Sequence, residues 1–314
     1  MGSPLRGSGS DEVLSRDRPD LFGVTAVVTA AIGFGILGPL ARFATDAGFT
    51  AVSFALWRAT SSAAALIVFL VVGVALRRAP TTRLSDISRV EWLQLLAMGA
   101  FVAGTTVSLF FAFERTTIAT ALIVVYTFPV WVALGAAPLF GEHRSSRKLA
   151  ALALSGVGLV LLLASLSQTG FALVGAGGFR SVPPLQSAAL LRLFSLSIYG
   201  VVLVPLLVVL GQGATITDPL GSTEAWLLIL TAGVLGAAIP AVLIISGYRR
   251  VGPTRGAVLM LVEPVTGALL AALLLAERPT LLQLGGGLLV LIGAALVQLA
   301  PVSRPTPETQ PATE

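Results

Sequence analysis

Glu263 is the residue of this sequence whose chemistry is hardest to explain by packing. It lies in AVLMLVEPVTGALLAALLLA, residues 257–276, where it is the single charged group, and Pro264 follows it directly. A carboxylate near the middle of a membrane span is costly when it faces lipid, so it should face the bundle interior or water. Two roles fit this position. Glu263 is either a proton carrier or cation contact, or it forms a hydrogen bond to a neighbouring helix and holds the kink.

Arg58 and Arg192 are the two basic residues that lie within apolar runs. Arg58 lies about eight residues into its run, roughly 12 Å deep at 1.5 Å per residue, and Arg192 lies similarly deep from the opposite side. At that depth an arginine can extend its head group back to the lipid head groups. It can also pair with a carboxylate or bind an anionic solute, and all three roles remain open.

Aromatic and proline residues add candidates for a cavity and for helix kinks. Trp57, Tyr126, Trp131 and Tyr199 combine an aromatic ring with a polar atom inside or near apolar runs. Such side chains either line a cavity or form an interfacial belt. Tyr126 is the best cavity candidate because it lies one turn before a proline. Proline removes a backbone donor and frees a carbonyl one turn back, so we predict kinks at Pro39, Pro129 and Pro264.

The composition places these residues in a membrane. The chain is 55% hydrophobic and 11% charged, whereas soluble domains carry roughly 25% charged residues. Apolar runs near 20 residues recur along the chain, about the length of a membrane-spanning helix. The sequence has no cysteine, and the runs hold no paired carboxylates, metal-ligand cluster or Ser/His/Asp set. We therefore predict no cofactor, no bound metal, no nucleic-acid partner and no enzymatic activity.

The apolar runs predict an all-α polytopic membrane protein. We predict spans near residues 22–43, 50–75, 91–112, 117–139, 147–165, 185–210, 225–246, 256–276 and 281–299. Residues 1–21 are predicted to be a disordered cytoplasmic tail, and residues 301–314 a second disordered tail.

The two halves of the chain resemble each other. At an offset of 135, residues 113–165 align with 248–300, so that Pro129 matches Pro264 and Glu142 matches Glu277. At an offset of 134, Arg58 matches Arg192. The pattern predicts two five-helix repeats, residues 22–165 and 166–300. Because five is odd, the two repeats must have opposite orientations, as in many secondary transporters.

The second repeat has little room for its first helix. Only residues 166–182 are available, with the apolar core GFALVGAGGF. With ten crossings and a cytoplasmic N-terminus, 15 of the 20 Lys and Arg residues lie inside, against 11 with nine crossings. We therefore predict about ten helices, with a short or irregular sixth element at about 167–182. The alternative is that this segment is a remnant of a deletion that impairs function.

The layout resembles the drug/metabolite transporter superfamily, in particular the EamA-like family. The likeness rests on PVWVALGAAPLFGEHRSSRKLAALALSGVGLVLL, residues 129–162, and on PVTGALLAALLLAERPTLLQLGGGLLVLIGAAL, residues 264–296. In that family each repeat has a proline in its fourth helix, a glutamate at the end of that helix and a Gly-rich fifth helix. The resemblance further implies that the first and sixth helices line a central cavity. Phe34-Gly35 stands where the family often has Trp-Gly.

We therefore predict a secondary transporter that moves a small organic solute across the inner membrane by alternating access. An amino acid, a metabolite or a drug is the expected solute, and export is favoured. Glu263, whose repeat equivalent is Phe128, is the candidate for proton coupling. Membrane lipid is an expected partner, and a homodimer is an open option. The alternative is a non-transporting membrane partner subunit or an inactivated paralogue.

Overall fold

The structure, a computed structural model, describes residues 20–126, 159–177 and 181–278, with the single positions 128, 280, 281, 285, 288 and 292. Every regular element in these ranges is a helix. The α-helices are α1 Leu21–Gly35, α2 Leu37–Asp46, α3 Ala51–Ala75, α4 Arg89–Arg115, α5 Ile118–Val125, α6 Leu159–Gly177, α7 Pro184–Ile198, α8 Val204–Val209, α9 Thr223–Gly233, α10 Ile239–Val251, α11 Pro253–Leu259 and α12 Val262–Leu275.

Six helical segments of the described chain are long and apolar enough to cross a membrane. They are Leu21–Asp46, Ala51–Ala75, Arg89–Arg115, Pro184–Val209, Thr223–Val251 and Gly256–Leu275. Their outer surfaces carry exposed aliphatic side chains such as Val209, 81% exposed, and Leu273, 70% exposed. Arg58 and Arg192, by contrast, are each only 2% exposed. Apolar side chains outside and charged side chains inside are the arrangement expected of a protein surrounded by lipid.

The described loops gather on two sides of the molecule. The side called here the N-side contains residues 20, 76–88, 181–183 and 252. The opposite side, called the far side, contains residues 47–50, 116–117, 210–222 and 276–278. Contacts within each side support this grouping. On the N-side Arg250 lies 3.3 Å from Asp20, and on the far side Arg42 Nη2 donates to the Thr116 carbonyl at 3.0 Å.

The crossings of the two halves run in opposite directions. In the first half, the described helices that begin at residues 21 and 89 start from the N-side, and those that begin at residues 51 and 118 start from the far side. In the second half the order is reversed: the helices that begin at residues 159 and 223 start from the far side, and those that begin at residues 184 and 253 start from the N-side. The described helices therefore agree with the predicted inverted repeats. The rest of the predicted fourth span, most of the fifth and most of the tenth lie outside the described residues, as do residues 1–19 and the tail 301–314.

The predicted short sixth element is corrected by α6. This helix is 19 residues long and unbroken, about 28 Å at 1.5 Å per residue. Its first residues, 159–165, lie within the predicted fifth span, near residues 147–165. The helix runs antiparallel to α4, because Gly104 faces Ser167 and Gly175 faces Met98. The helix observed in this part of the chain is therefore longer and more regular than the predicted sixth element.

The polar run SLSQTG, residues 165–170, accounts for the difference between the predicted short element and the observed helix. In an isolated span such a run resembles a helix end. In the bundle these side chains face protein: Ser165 is fully buried, and Thr169 Oγ1 donates to the Ser165 carbonyl at 2.8 Å. Internal bonds of this kind let a helix continue through polar residues.

Two helix breaks lie one turn before predicted kink prolines. The first span is interrupted at Ile36, ahead of Pro39, and the ninth at Met260, ahead of Pro264. Each proline lacks an N–H, and its ring crowds the carbonyl four residues earlier. The Met260 carbonyl is satisfied instead by the N–H of Glu263, at 2.9 Å. This hydrogen bond at the helix break therefore holds the backbone of Glu263 in position.

Cysteine labelling tests the extra crossing directly. The chain contains no cysteine, so the variants Ser85→Cys, Ser181→Cys and Thr217→Cys each carry a single thiol. All three positions are exposed. We expect a membrane-impermeant maleimide to reach positions 85 and 181 from the same side and position 217 from the other. Labelling of positions 85 and 181 from opposite sides would contradict the crossing by α6.

Candidate functional site

Glu263 and Tyr126 meet where α5 ends and α12 begins. Tyr126 follows the last residue of α5, and Glu263 stands in the first turn of α12. The Tyr126 hydroxyl donates a hydrogen bond to Glu263 Oε2, and both residues are buried. Positions 126 and 261 correspond at the repeat offset of 135, so the bond joins the broken helices of the two halves near their common centre.

A cavity of about 90 Å³ lies beside this pair. A buried water needs roughly 10–15 Å³ on this measure, so several waters or a small solute could occupy the space. Both halves line it from equivalent positions, at spacings of 134 or 135 residues. These pairs are Phe34 with Gln168, Leu37 with Phe171, Arg58 with Arg192, Thr106 with Ala241, Leu109 with Ile244, and Phe110 with Ile245. The cavity therefore lies between the two inverted halves, and Glu263 breaks its symmetry.

Arg58 enters the cavity from α3. Its Nη2 donates to Thr106 Oγ1 on α4 at 2.8 Å, and its guanidinium carbon lies 5.3 Å from the centre of the Phe110 ring. A cation over an aromatic face is attracted by the ring electrons, by about 0.5–2 kcal/mol. These two contacts hold the head group in the bundle interior rather than at the membrane surface.

Arg192 enters from α7, the inverted equivalent of α3. Buried nitrogens of both arginines lack a hydrogen-bond partner: Nε of Arg58, and Nε and Nη1 of Arg192. The hydroxyl of Tyr199 is also buried, close enough to interact electrostatically with both guanidinium groups. In the part of the chain that the structure describes, neither arginine forms an ion pair with a carboxylate.

The structure brings together most of the predicted site residues that it describes. Glu263, Tyr126, Arg58 and Arg192 line one cavity, and Tyr199 lies beside the arginines. Trp57 is the exception, because its indole N–H donates to the Ile216 carbonyl on the far side at 2.7 Å. Its ring packs edge-on against Trp226 at 6.0 Å. Trp131 and Pro129 lie outside the described residues.

Four polar residues of the site were missed in the sequence. Thr105, Thr106 and Gln168 line the cavity, and the hydroxyl of Tyr248 is buried without a hydrogen-bond partner, within electrostatic range of Glu263. Gln168 falls within the sixth element predicted at about 167–182, and its offset of 134 from Phe34 pairs it with a residue of the first helix. That pairing was the available signal. The sequence contains no comparable signal for Thr105, Thr106 and Tyr248, because isolated polar residues are common in packed spans.

These inverted helices, with buried charged groups at a cavity between them, define the architecture of a membrane transporter. The EamA-like transporter family matches the chain twice, over residues 21–164 and 159–299. The chain therefore belongs to the EamA-like transporter family, which confirms the resemblance seen in the sequence. The second match begins at residue 159, where α6 begins.

Similar proteins agree with this assignment. An uncharacterized transporter of Archaeoglobus fulgidus is 26% identical over 289 residues, covering 88% of this chain and 96% of that protein. A chain of known crystal structure has a TM-score of 0.61, with 20% identity, over 90% of this chain and 97% of that chain. The second likeness shows the fold alone. Family and relative indicate a transporter rather than an enzyme.

Proposed function

We propose that the protein is a secondary transporter that moves a small organic solute by alternating access between its two inverted halves. An amino acid, a metabolite or a drug is the expected solute, and export is the favoured direction. One observation carries the proposal: equivalent positions of both halves line one cavity that contains buried charged groups. A site shared by two inverted units can open to either side when one unit rocks against the other.

Contacts on the two sides of the cavity supply the gates for such a movement. On the far side Arg42 pairs with Glu277 at 3.5 Å, and Glu277 Oε2 also accepts the N–H of Ile118 at 3.2 Å. On the N-side Arg249 Nη2 donates to the Val182 carbonyl at 2.8 Å. These contacts would have to break when their own side opens.

Glu263 is proposed to carry the coupled proton. Among the described residues that line the cavity it is the one carboxylate, and its repeat equivalent, Phe128, cannot titrate. The groups that face it are the hydroxyls of Tyr126 and Tyr248, and the two arginines share its cavity. A buried carboxylate that exchanges a proton through a cavity is the usual coupling device of such proteins.

The rival function, a non-transporting subunit or inactivated paralogue, loses its main support. It rested on a sixth element too short to cross the membrane, whereas α6 has 19 residues. We also propose that the N-side is cytoplasmic and that the membrane is the inner membrane. In the described ranges seven arginines lie on the N-side and three on the far side, as the positive-inside rule requires. The N-side arginines are Arg77, Arg78, Arg83, Arg89, Arg249, Arg250 and Arg255, and the far-side arginines are Arg42, Arg115 and Arg278.

A flux assay in proteoliposomes tests the proposed function. The purified full chain is reconstituted, and uptake of labelled amino acids, organic acids and cationic drugs is followed with and without an imposed pH gradient. We expect at least one solute to cross faster than in protein-free vesicles, with flux that saturates and that a pH gradient drives. A correctly folded protein that moves none of these solutes would favour the rival function.

The far-side contact provides a further prediction. Glu277→Gln keeps an oxygen that can accept the Ile118 N–H but removes the charge facing Arg42. The two side chains are 29% and 17% exposed, and such a pair contributes about 0.5–1 kcal/mol, so far-side opening should rise about two- to fivefold. The measurement is maleimide labelling, from the far side, of a thiol placed in the cavity by Thr105→Cys.

The matched control for this prediction is Arg115→Gln. Arg115 lies on an exposed surface, where it forms an ion pair with its chain neighbour Glu114 at 3.3 Å and donates to the Phe111 carbonyl of its own helix at 3.2 Å. We expect no change in labelling for this variant. Equal labelling rates for Glu277→Gln and wild type would show that the Arg42 pair does not hold the far side closed.

A further inference from the structure

We propose that Arg58 and Arg192 together bind the anionic group of the transported solute, so that the solute is a small organic acid. The inference rests on the proposed transport function and names its substrate class. The observation behind it is that two buried guanidinium groups line one cavity while three of their nitrogens lack a hydrogen-bond partner.

The unpaired nitrogens point to a ligand. Burying a charged donor without a partner is costly, and proteins normally satisfy such groups. Each arginine is 2% exposed, so bulk water cannot solvate it. A guanidinium presents five N–H donors in a plane, and Thr106 uses one nitrogen of Arg58. A bound anion would satisfy the remainder.

The charge of the cavity favours an anion over a cation. Among the lining residues that the structure describes, two are basic and one, Glu263, is acidic. Glu263 accepts a hydrogen bond from Tyr126 and forms no ion pair with either arginine. The two arginines lie close enough for their like charges to repel each other. A carboxylate between them would relieve that repulsion.

The repeat symmetry matches the shape of a carboxylate. Arg58 and Arg192 occupy equivalent positions of the two inverted halves, and both line the cavity. A carboxylate has two equivalent oxygens, one for each guanidinium, and arginine binds carboxylates through parallel N–H bonds. A solute held by both halves would stay bound while one half moves against the other.

The rest of the lining indicates what the anion carries. The cavity surface also includes the apolar side chains of Leu109, Phe110, Phe171, Leu191 and Ile244. Apolar walls with a few convergent polar groups are typical of sites for small organic ligands. We therefore expect an acid with a compact apolar body, such as a short branched or aromatic carboxylate.

Binding of matched acids, amides and amines tests the inference. The probes are isobutyrate and benzoate, their neutral amides, and isobutylamine and benzylamine. Binding to the purified full chain is measured by calorimetry and by the shift of its thermal transition. We expect at least one acid to bind at least about tenfold more tightly than its amide and its amine, because each charge-assisted hydrogen bond is strong.

Substitution of the arginines locates the site. Arg58→Gln and Arg192→Gln should each weaken acid binding by about tenfold or more, while Arg192→Lys, which keeps the charge but loses the planar donors, should weaken it less. Arg115→Gln, on the exposed far side, is the matched control and should bind like wild type. The thermal transition of each unliganded variant reports whether it folds, and the comparison of probes on wild type does not depend on the variants.

The outcomes separate this inference from the proposed function. Amides or amines that bind as tightly as the acids, or acids that fail to bind, would overturn the anion site. Flux of neutral or cationic solutes that is unchanged in the arginine variants would also overturn it, while leaving transport intact. Selective acid binding without flux of any solute would instead support the anion site and count against transport.

Discussion

Replacing Glu263 with glutamine is expected to abolish proton-driven accumulation of the solute. Glutamine has nearly the same shape, and its amide oxygen can still accept the Tyr126 hydroxyl, so the bond between the broken helices survives. The amide cannot bind and release a proton in the physiological range. With one proton per solute, a pH difference of two units drives up to about a hundredfold accumulation, because each unit is worth a factor of ten.

The expected value for Glu263→Gln is therefore no accumulation, whereas exchange of the solute down its own gradient should continue. Both quantities come from proteoliposomes, with and without the pH gradient. Tyr126→Phe is the matched control, because it removes the hydroxyl facing the carboxylate but keeps the titrating group. We expect Tyr126→Phe to remain proton-driven with an altered pH profile. Unchanged pH-driven uptake in Glu263→Gln would show that this carboxylate does not couple proton movement to transport. It would not contradict the proposed transport function.

The centre of the site could be predicted from the sequence because charged residues are rare in apolar spans. Placing a charged side chain in lipid costs free energy, so the sequence singles out Glu263, Arg58 and Arg192. All three line the same cavity. The inverted arrangement was predictable for a related reason. Matches such as Pro129 with Pro264 occur seldom by chance inside spans, and an odd number of helices per repeat requires inversion.

Other parts of the site could not be predicted because they depend on tertiary contacts. The run SLSQTG has the composition of a connection, and only packing against α4 shows that its polar side chains lie inside a continuous helix. Trp57 was ambiguous for another reason. An indole near the start of a span can face a cavity or an interface with the same sequence pattern, and its bond to Ile216 joins positions 159 residues apart.

The second prediction with a large expected effect concerns Gly35, because this residue sets how closely the first helix approaches Glu263. A Cβ atom at this position would lie 2.7 Å from Thr266 Cβ and 3.0 Å from the Glu263 carbonyl oxygen. Contacts this short force helices apart, and overpacking of this kind costs about 1–3 kcal/mol. Gly35→Ala should therefore destabilise the protein and displace the first turn of α12, together with the carboxylate.

The measurements are the thermal transition in detergent and the pH-driven flux, and both should fall in Gly35→Ala. Gly200→Ala is the matched control, because a Cβ there meets nothing within 4 Å; alanine in open helical space is neutral or slightly stabilising. The second variant, Gly35→Ala with Thr266→Gly, removes the Cβ at 2.7 Å and should recover part of the loss relative to the sum of the single changes. Wild-type stability in Gly35→Ala would mean that α12 can move away at no cost. In that case close packing by Gly35 would not be what positions Glu263 at the cavity.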